Sequence, residues 1–183
     1  MRFIWICLTI WLTLPGLAFS QAVEIHAKLD DALSKRPEYF VQEVASVILG
    51  HGTDGRIDAA GIDRFIALER ARSRAYYMRR FHQADLDADG TISRAEMQVL
   101  QDVSSARQRG LLEVEFRKAD ANNDGRVTPD ELADFAENGA RRGFSTSEAL
   151  AWRSLIALDR DGDGAVSLDD VMAAVAARKG EPA

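Results

Sequence analysis

Three stretches of this 183-residue chain concentrate oxygen-bearing side chains: 81–97 (FHQADLDADGTISRAEM), 116–132 (FRKADANNDGRVTPDEL) and 155–171 (LIALDRDGDGAVSLDDV). In each, an Asp opens the run (Asp85, Asp120, Asp159) and further oxygen donors follow at alternate positions. A Gly stands sixth, an apolar residue eighth and a carboxylate twelfth. The openings lie 35 and 39 residues apart, so the pattern is an internal repeat. Two carboxylates about 4 Å apart repel by about 4 kcal/mol at an effective dielectric near 20. Three or four of them per turn make sense only around a cation. The single cysteine, Cys7, excludes both a disulfide framework and a thiolate cluster for zinc.

The residues around the donors are those needed to aim them. Gly90, Gly125 and Gly164 suit a sharp turn that a side chain would penalise. Ser93-x-x-Glu96 and Thr128-Pro129-x-Glu131 read as capping boxes, with Pro129 at the first helical position. One short segment thus starts a helix and turns its carboxylate toward the ion. Ile92, Val127 and Val166, at the eighth positions, are β-branched.

The spacing matches the pattern D-x-[DN]-x-[DN]-G-x₅-E in full at two loops and with one departure at the third. It resembles the EF-hand calcium-binding family, as a calmodulin-like, exported and bacterial member. The resemblance implies three Ca2+ sites, each a twelve-residue loop wrapping the ion with six to eight oxygens. Side-chain ligands would be Asp85, Asp87, Asp89 and Glu96; Asp120, Asn122, Asp124 and Glu131; and Asp159, Asp161, Asp163 and Asp170. Thr91, Arg126 and Ala165 would each give a backbone carbonyl, and Ser93, Thr128 or Ser167 would act through a water. In this family the eighth positions of neighbouring loops pair as short antiparallel strands. Asp170 is one methylene shorter than the usual Glu, which predicts monodentate binding at 159–170 and tolerance of Mg2+.

EF-hands normally pair, and a fourth, degraded unit is expected upstream. Residues 50–61 keep Asp54-Gly55, Ile57 and Asp58, but Gly50, Gly52 and Gly61 stand at positions 1, 3 and 12. This predicts a metal-free hand that partners the loop at 85–96. His51 reads as a surface loop residue, not a metal ligand. Residues 37–49 form the entering helix of the first hand, with Phe40, Val41, Val44, Val47 and Ile48 on one face. Each spacer between loops is expected to hold an exiting helix, a turn and an entering helix. Gly110 would break the middle spacer, and Asn138-Gly139 with Gly143 the last, before a capping box at Ser145-x-x-Glu148. Residues 22–34 add an amphipathic helix. The fold class expected is all-α, four helix-loop-helix units in two lobes. The first and second hands would pair within 21–103, and the third and fourth within 104–183.

Residues 1–20 read as a signal peptide: Arg2, an apolar run from Phe3 to Leu14, Pro15-Gly16, then small residues before Gln21. Its removal takes away one basic residue and makes the net charge of −6 one unit more negative. The acidic balance argues against nucleic acid as a partner, and no membrane association is expected after cleavage. Only Lys28, Lys35, Lys118 and Lys179 among 23 basic residues are lysine, a bias that points to a GC-rich bacterial genome and a periplasmic or secreted protein. His26, His51 and His82 form no nucleophile or zinc signature, and no phosphate-binding glycine loop is present, so no enzymatic activity is expected. The Arg-rich stretch 64–80 reads as a solvated helix face with Tyr76 and Tyr77 pointing to the core, a docking face for an acidic partner being the alternative. Met78, Met97 and Met172 are expected in the core. Two roles follow for the calcium ions: holding a structural or buffering protein folded, or switching a sensor that exposes apolar surface to a protein target.

Overall fold

The computed structural model describes residues 24–180. The expected leader at 1–20 lies outside them. The elements are α1 (Ala27–Lys35), α2 (Pro37–His51), β1 (Arg56–Asp58), α3 (Ala59–Ala84), β2 (Ile92–Ser93), α4 (Arg94–Asp102), α5 (Ala106–Ala119), β3 (Arg126–Val127), α6 (Pro129–Gly143), α7 (Thr146–Arg153), a 3-10 turn (Ser154–Leu158), β4 (Ala165–Ser167) and α8 (Leu168–Lys179). The fold is all-α, as expected, and the short strands lie in the four loops.

The loops do not pair in chain order. β1 runs antiparallel to β4, with Ile57 opposite Val166, and β2 runs antiparallel to β3, with Ile92 opposite Val127. The first hand therefore pairs with the fourth, and the second with the third. This corrects the expected division into 21–103 and 104–183, and nests one lobe inside the other along the chain. The physical reason is α3. Residues 59–84 form one uninterrupted helix of 26 residues where a turn was expected. At 1.5 Å per residue it spans about 39 Å, which holds the first and second loops at opposite ends of a rod. Loops that far apart cannot exchange strand hydrogen bonds.

The glycines mark the other two turns only in part. Gly110 lies inside α5, and the middle spacer breaks before it, at Val103–Ser105, where Ser105 and Gln108 close a capping box. α6 continues through Asn138-Gly139, and the last spacer breaks at Gly143, as expected, before the Ser145 capping box. These glycines serve packing: a Cβ on Gly139 would stand 2.4 Å from the Tyr77 ring, and one on Gly143 would stand 2.9 Å from Ser73 Oγ. Both absences let α6 lie close along α3. The seam is extended by Tyr77 against Phe135 and by Arg74 with Glu137.

Each lobe has its own core. The outer lobe, from hands one and four, buries Phe40, Val44, Ile48, Ile57, Ile62, Ile66, Leu155, Val166 and Val171, and α1 covers it with Leu29 and Leu33. Within the described residues the extra helix begins at Ala27, after the non-helical residues 24–26. It is tied down by His26, whose amide donates to Ser154 Oγ at 2.8 Å, and by Arg178 on Asp30. The inner lobe buries Phe81, Ile92, Met97, Phe116, Val127, Leu132 and Phe135. Each large side chain contributes roughly 1.5–3 kcal/mol by leaving water. Among them are all the repeat's flanking apolar residues, Phe81, Phe116 and Leu155 before the loops and Met97, Leu132 and Val171 after them. They fix how each loop is presented.

Candidate metal centres

The three loops at 85–96, 120–131 and 159–170 share one skeleton. The first Asp accepts from the amide of the sixth-position Gly: Asp85 Oδ2 from Gly90 at 3.1 Å, Asp120 Oδ2 from Gly125 at 3.0 Å, Asp159 Oδ2 from Gly164 at 2.9 Å. Those glycines have φ of 81°, 84° and 87°, a region that L side chains rarely adopt. The fifth-position carboxylates of Asp89, Asp124 and Asp163 accept from the amides of Thr91, Arg126 and Ala165 at 2.6, 2.9 and 2.9 Å. The chain is thereby wound around its own carboxylates.

The twelfth-position carboxylates enter from the exiting helices. Glu96 Oε2 accepts from the amide and hydroxyl of Ser93 at 2.8 and 2.7 Å, completing the capping box of α4. Its Oε1 accepts from Leu86 N at 2.9 Å, on the far side of the loop. Glu131 does the same with Thr128 and, at 3.2 Å, with Ala121 N. Asp170 is capped by Ser167 but reaches Arg160 N only at 3.4 Å. The Ser93 amide, then its hydroxyl and the Leu86 amide, pull Glu96 from 4.5 down to about 2. The amide of Thr128 leads in lowering Glu131. Burial works against Asp170, but hydrogen bonds from the Ser167 hydroxyl and amide outweigh it and the net shift is downward. All three stay ionised at neutral pH, as cation ligands must.

The donor set fits a hard divalent cation. Asp85, Asp87 and Asp89 each bring a carboxylate oxygen to within 4.8 Å of the others, and so do Asp159, Asp161 and Asp163. Asp85 Oδ1 is buried and has no hydrogen-bond partner, a cost that a bound cation would remove. In the third loop Asn122 replaces one carboxylate, and its amide nitrogen donates to Asp124 Oδ2 at 3.0 Å. Asp120 there is buried. The first, third and fifth side chains thus converge in the second and fourth loops, and in the third loop the Asp124 amide donates to both Asp120 Oδ1 and Asn122 Oδ1.

The first loop is closed without ligands. Thr53 and Arg56 exchange backbone hydrogen bonds at 2.8 and 3.0 Å. Between them Asp54 and Gly55 have φ of 52° and 74°, the two-residue Asp-Gly turn of tight hairpins. A Cβ on Gly52 would lie 2.1 Å from the carbonyl oxygen of Arg56, and one on Gly61 would lie 2.8 Å from Ile57. Backbone and core thus crowd the third and twelfth positions, and only glycine fits. Asp58 serves as N-cap of α3, accepting from Gly61 N at 2.7 Å. His51 closes α2 with its ring 5.3 Å from Phe65, a packing role.

Other expectations resolve unevenly. Tyr77 packs on Phe135 while Tyr76 is exposed under Arg80. Arg72, Arg74 and Arg80 pair with Glu69, Glu137 and Glu115, so internal carboxylates already answer much of the stretch. Met97 is buried and Met78 packs at the core edge, but Met172 is exposed, contrary to expectation. Sequence reasoning missed Arg56, whose guanidinium pairs with Asp163 of the fourth loop. No local signal marks it, because the contact depends on the pairing order.

Residues 74–137 match the family model described as an EF-hand domain pair. That span is the inner lobe, so the matched pair is the pair that β2 and β3 join. The class of unit is a calcium-binding one, and Ca2+ is the ion it implies. No curated protein and no solved structure matches the chain.

Proposed function

We propose that the protein binds three calcium ions outside the cytoplasm and that the ions act as folding elements and a buffer, with no catalytic activity of its own. The ligands are Asp85, Asp87, Asp89 and Glu96; Asp120, Asn122, Asp124 and Glu131; and Asp159, Asp161, Asp163 and Asp170, with the carbonyls of Thr91, Arg126 and Ala165. Mg2+ competes at the last site. The observation that carries a structural role is the seam between α3 and α6. α6 leaves the third loop, and a sensor would have to swing it outward, yet Gly139 seats it against Tyr77. The double use of Glu96, Glu131 and Asp170 as helix caps and cation ligands supports the same reading. So does the lack of any cysteine after Cys7. An ion at a hundredfold excess over its Kd adds about 2.7 kcal/mol.

One observation favours a sensor instead. Pro37, Val41, Met172 and Val175 line an open apolar groove between α2 and α8, the kind of surface a protein target covers. A calcium titration read by circular dichroism and an apolar-surface dye separates the two. Helix gain with falling dye signal is the expected result. Rising dye signal at constant helicity would establish the sensor. Detection of the mature chain starting at Gln21 in the periplasmic or secreted fraction tests export.

A further inference from the structure

The hand that carries no ligands reaches into its partner. Arg56 stands at the seventh position of the first loop. Its carbonyl is already taken by Thr53 N in the hairpin turn. Its side chain crosses the β1–β4 pair, where Arg56 faces Ser167, and its guanidinium pairs with Asp163 Oδ2. The other oxygen of Asp163 accepts from Ala165 N at 2.9 Å. We infer that Arg56 is a built-in counter-cation of the fourth loop, one that a calcium ion must displace from Asp163, so that the first hand sets the affinity of the fourth site.

This rests on the reading of 159–170 as a calcium loop. The inner lobe supplies the internal control. Arg126 holds the same seventh position in the third loop and faces Ser93 across β2–β3. It borders the second loop beside Asp87, Asp89 and Glu96, yet among the described residues it makes no ion pair with them. One lobe thus keeps a cation on its neighbour's ligand, while the other keeps one only nearby. Chemically the device does two opposing things. Four carboxylates, Asp159, Asp161, Asp163 and Asp170, repel one another in the calcium-free protein, and a guanidinium relieves that repulsion. When Ca2+ arrives, the same guanidinium is a competitor for Asp163 and a like charge beside the ion.

The test is stepwise calcium binding by calorimetry on the protein and its variants Arg56→Gln, Arg56→Lys and Asp159→Ala. Asp159→Ala identifies the step that belongs to the fourth loop. Arg56→Gln is expected to tighten that step about threefold to tenfold while lowering the melting temperature of the calcium-free protein by about 1–2 °C, the size of an exposed ion pair. Arg56→Lys should tighten it less. An Arg56→Gln protein whose fourth-loop step is unchanged or weaker overturns the inference, as does a gain that survives in the Asp159→Ala background. If Asp159→Ala binds as many ions as the native protein, the calcium reading of that loop falls first, and the role of Arg56 falls with it.

Discussion

In the inner lobe both loops present side-chain donors at positions 1, 3, 5 and 12, and the strands that join them are two residues each. In the outer lobe one loop is drawn shut by an Asp-Gly hairpin, the other carries a short twelfth-position carboxylate under a guanidinium, and the strands are three residues long. The outer core also recruits α1, which has no counterpart in the inner lobe. The lobes therefore close the same supersecondary unit by different means. Over its own apolar core, one gathers carboxylates that an ion would neutralise, while the other closes its first loop by backbone hydrogen bonds. A loop that has lost its ligands is still useful as a strand partner when its hairpin and its eighth-position side chain survive.

Chelation should expose this difference most sharply. Two ions at a hundredfold excess over Kd stabilise the inner lobe by about 5 kcal/mol together, against one weaker site outside. Scanning calorimetry in a chelator is expected to move an inner-lobe transition far more than an outer-lobe one; equal shifts would erase the distinction. Next in size is Gly52→Ala, which drives a methyl into the carbonyl of Arg56 and should cost about 3 kcal/mol, at the upper end for overpacking. Gly50→Ala faces open space and should change denaturant stability by less than about 0.5 kcal/mol. Similar losses from both would mean the first loop is not closed as described.

The smallest effect concerns acid. The carboxyl of Glu96 lies near 4.5 in an unfolded chain and about 2 when folded. Its contribution is then complete above pH 4.5 and disappears as pH falls toward 2. Calcium-free Glu96→Gln should therefore be less stable than the native protein at pH 6 and equal to it near pH 2, by circular dichroism melts. A gap that persists at pH 2 would assign the loss to packing.

The ligand loops and capping boxes were legible because their chemistry is local. An Asp at position 1, a Gly at 6 and a carboxylate at 12 interact within twelve residues, and the loops formed where the spacing put them. The pairing was not legible. Ile57, Ile92, Val127 and Val166 are all β-branched and apolar, and any could face any other across a strand. What decides is the helix between the first two loops. From Ile62 to Ala84 there is no Gly or Pro, so no residue there favours the turn that adjacent pairing requires. Ser105-x-x-Gln108, by contrast, was a start signal five residues ahead of the expected hinge, masked by the attention that Gly110 draws. Gly139 shows the converse: a residue read for backbone freedom is there to admit a tyrosine ring.

The pairing of first hand with last also orders the events of synthesis. The inner lobe has all its residues once α6 has emerged, and can close early. α2 must wait, with Phe40, Val44 and Ile48 bare, until Val166 and Val171 leave the ribosome near the end of translation. Throughout that interval the nascent chain carries an unpaired strand edge and a naked apolar helix face, the two features that invite intermolecular association. The molecule's vulnerable moment is thus set by its nesting, and it falls on the half whose first loop has glycine at positions 1, 3 and 12.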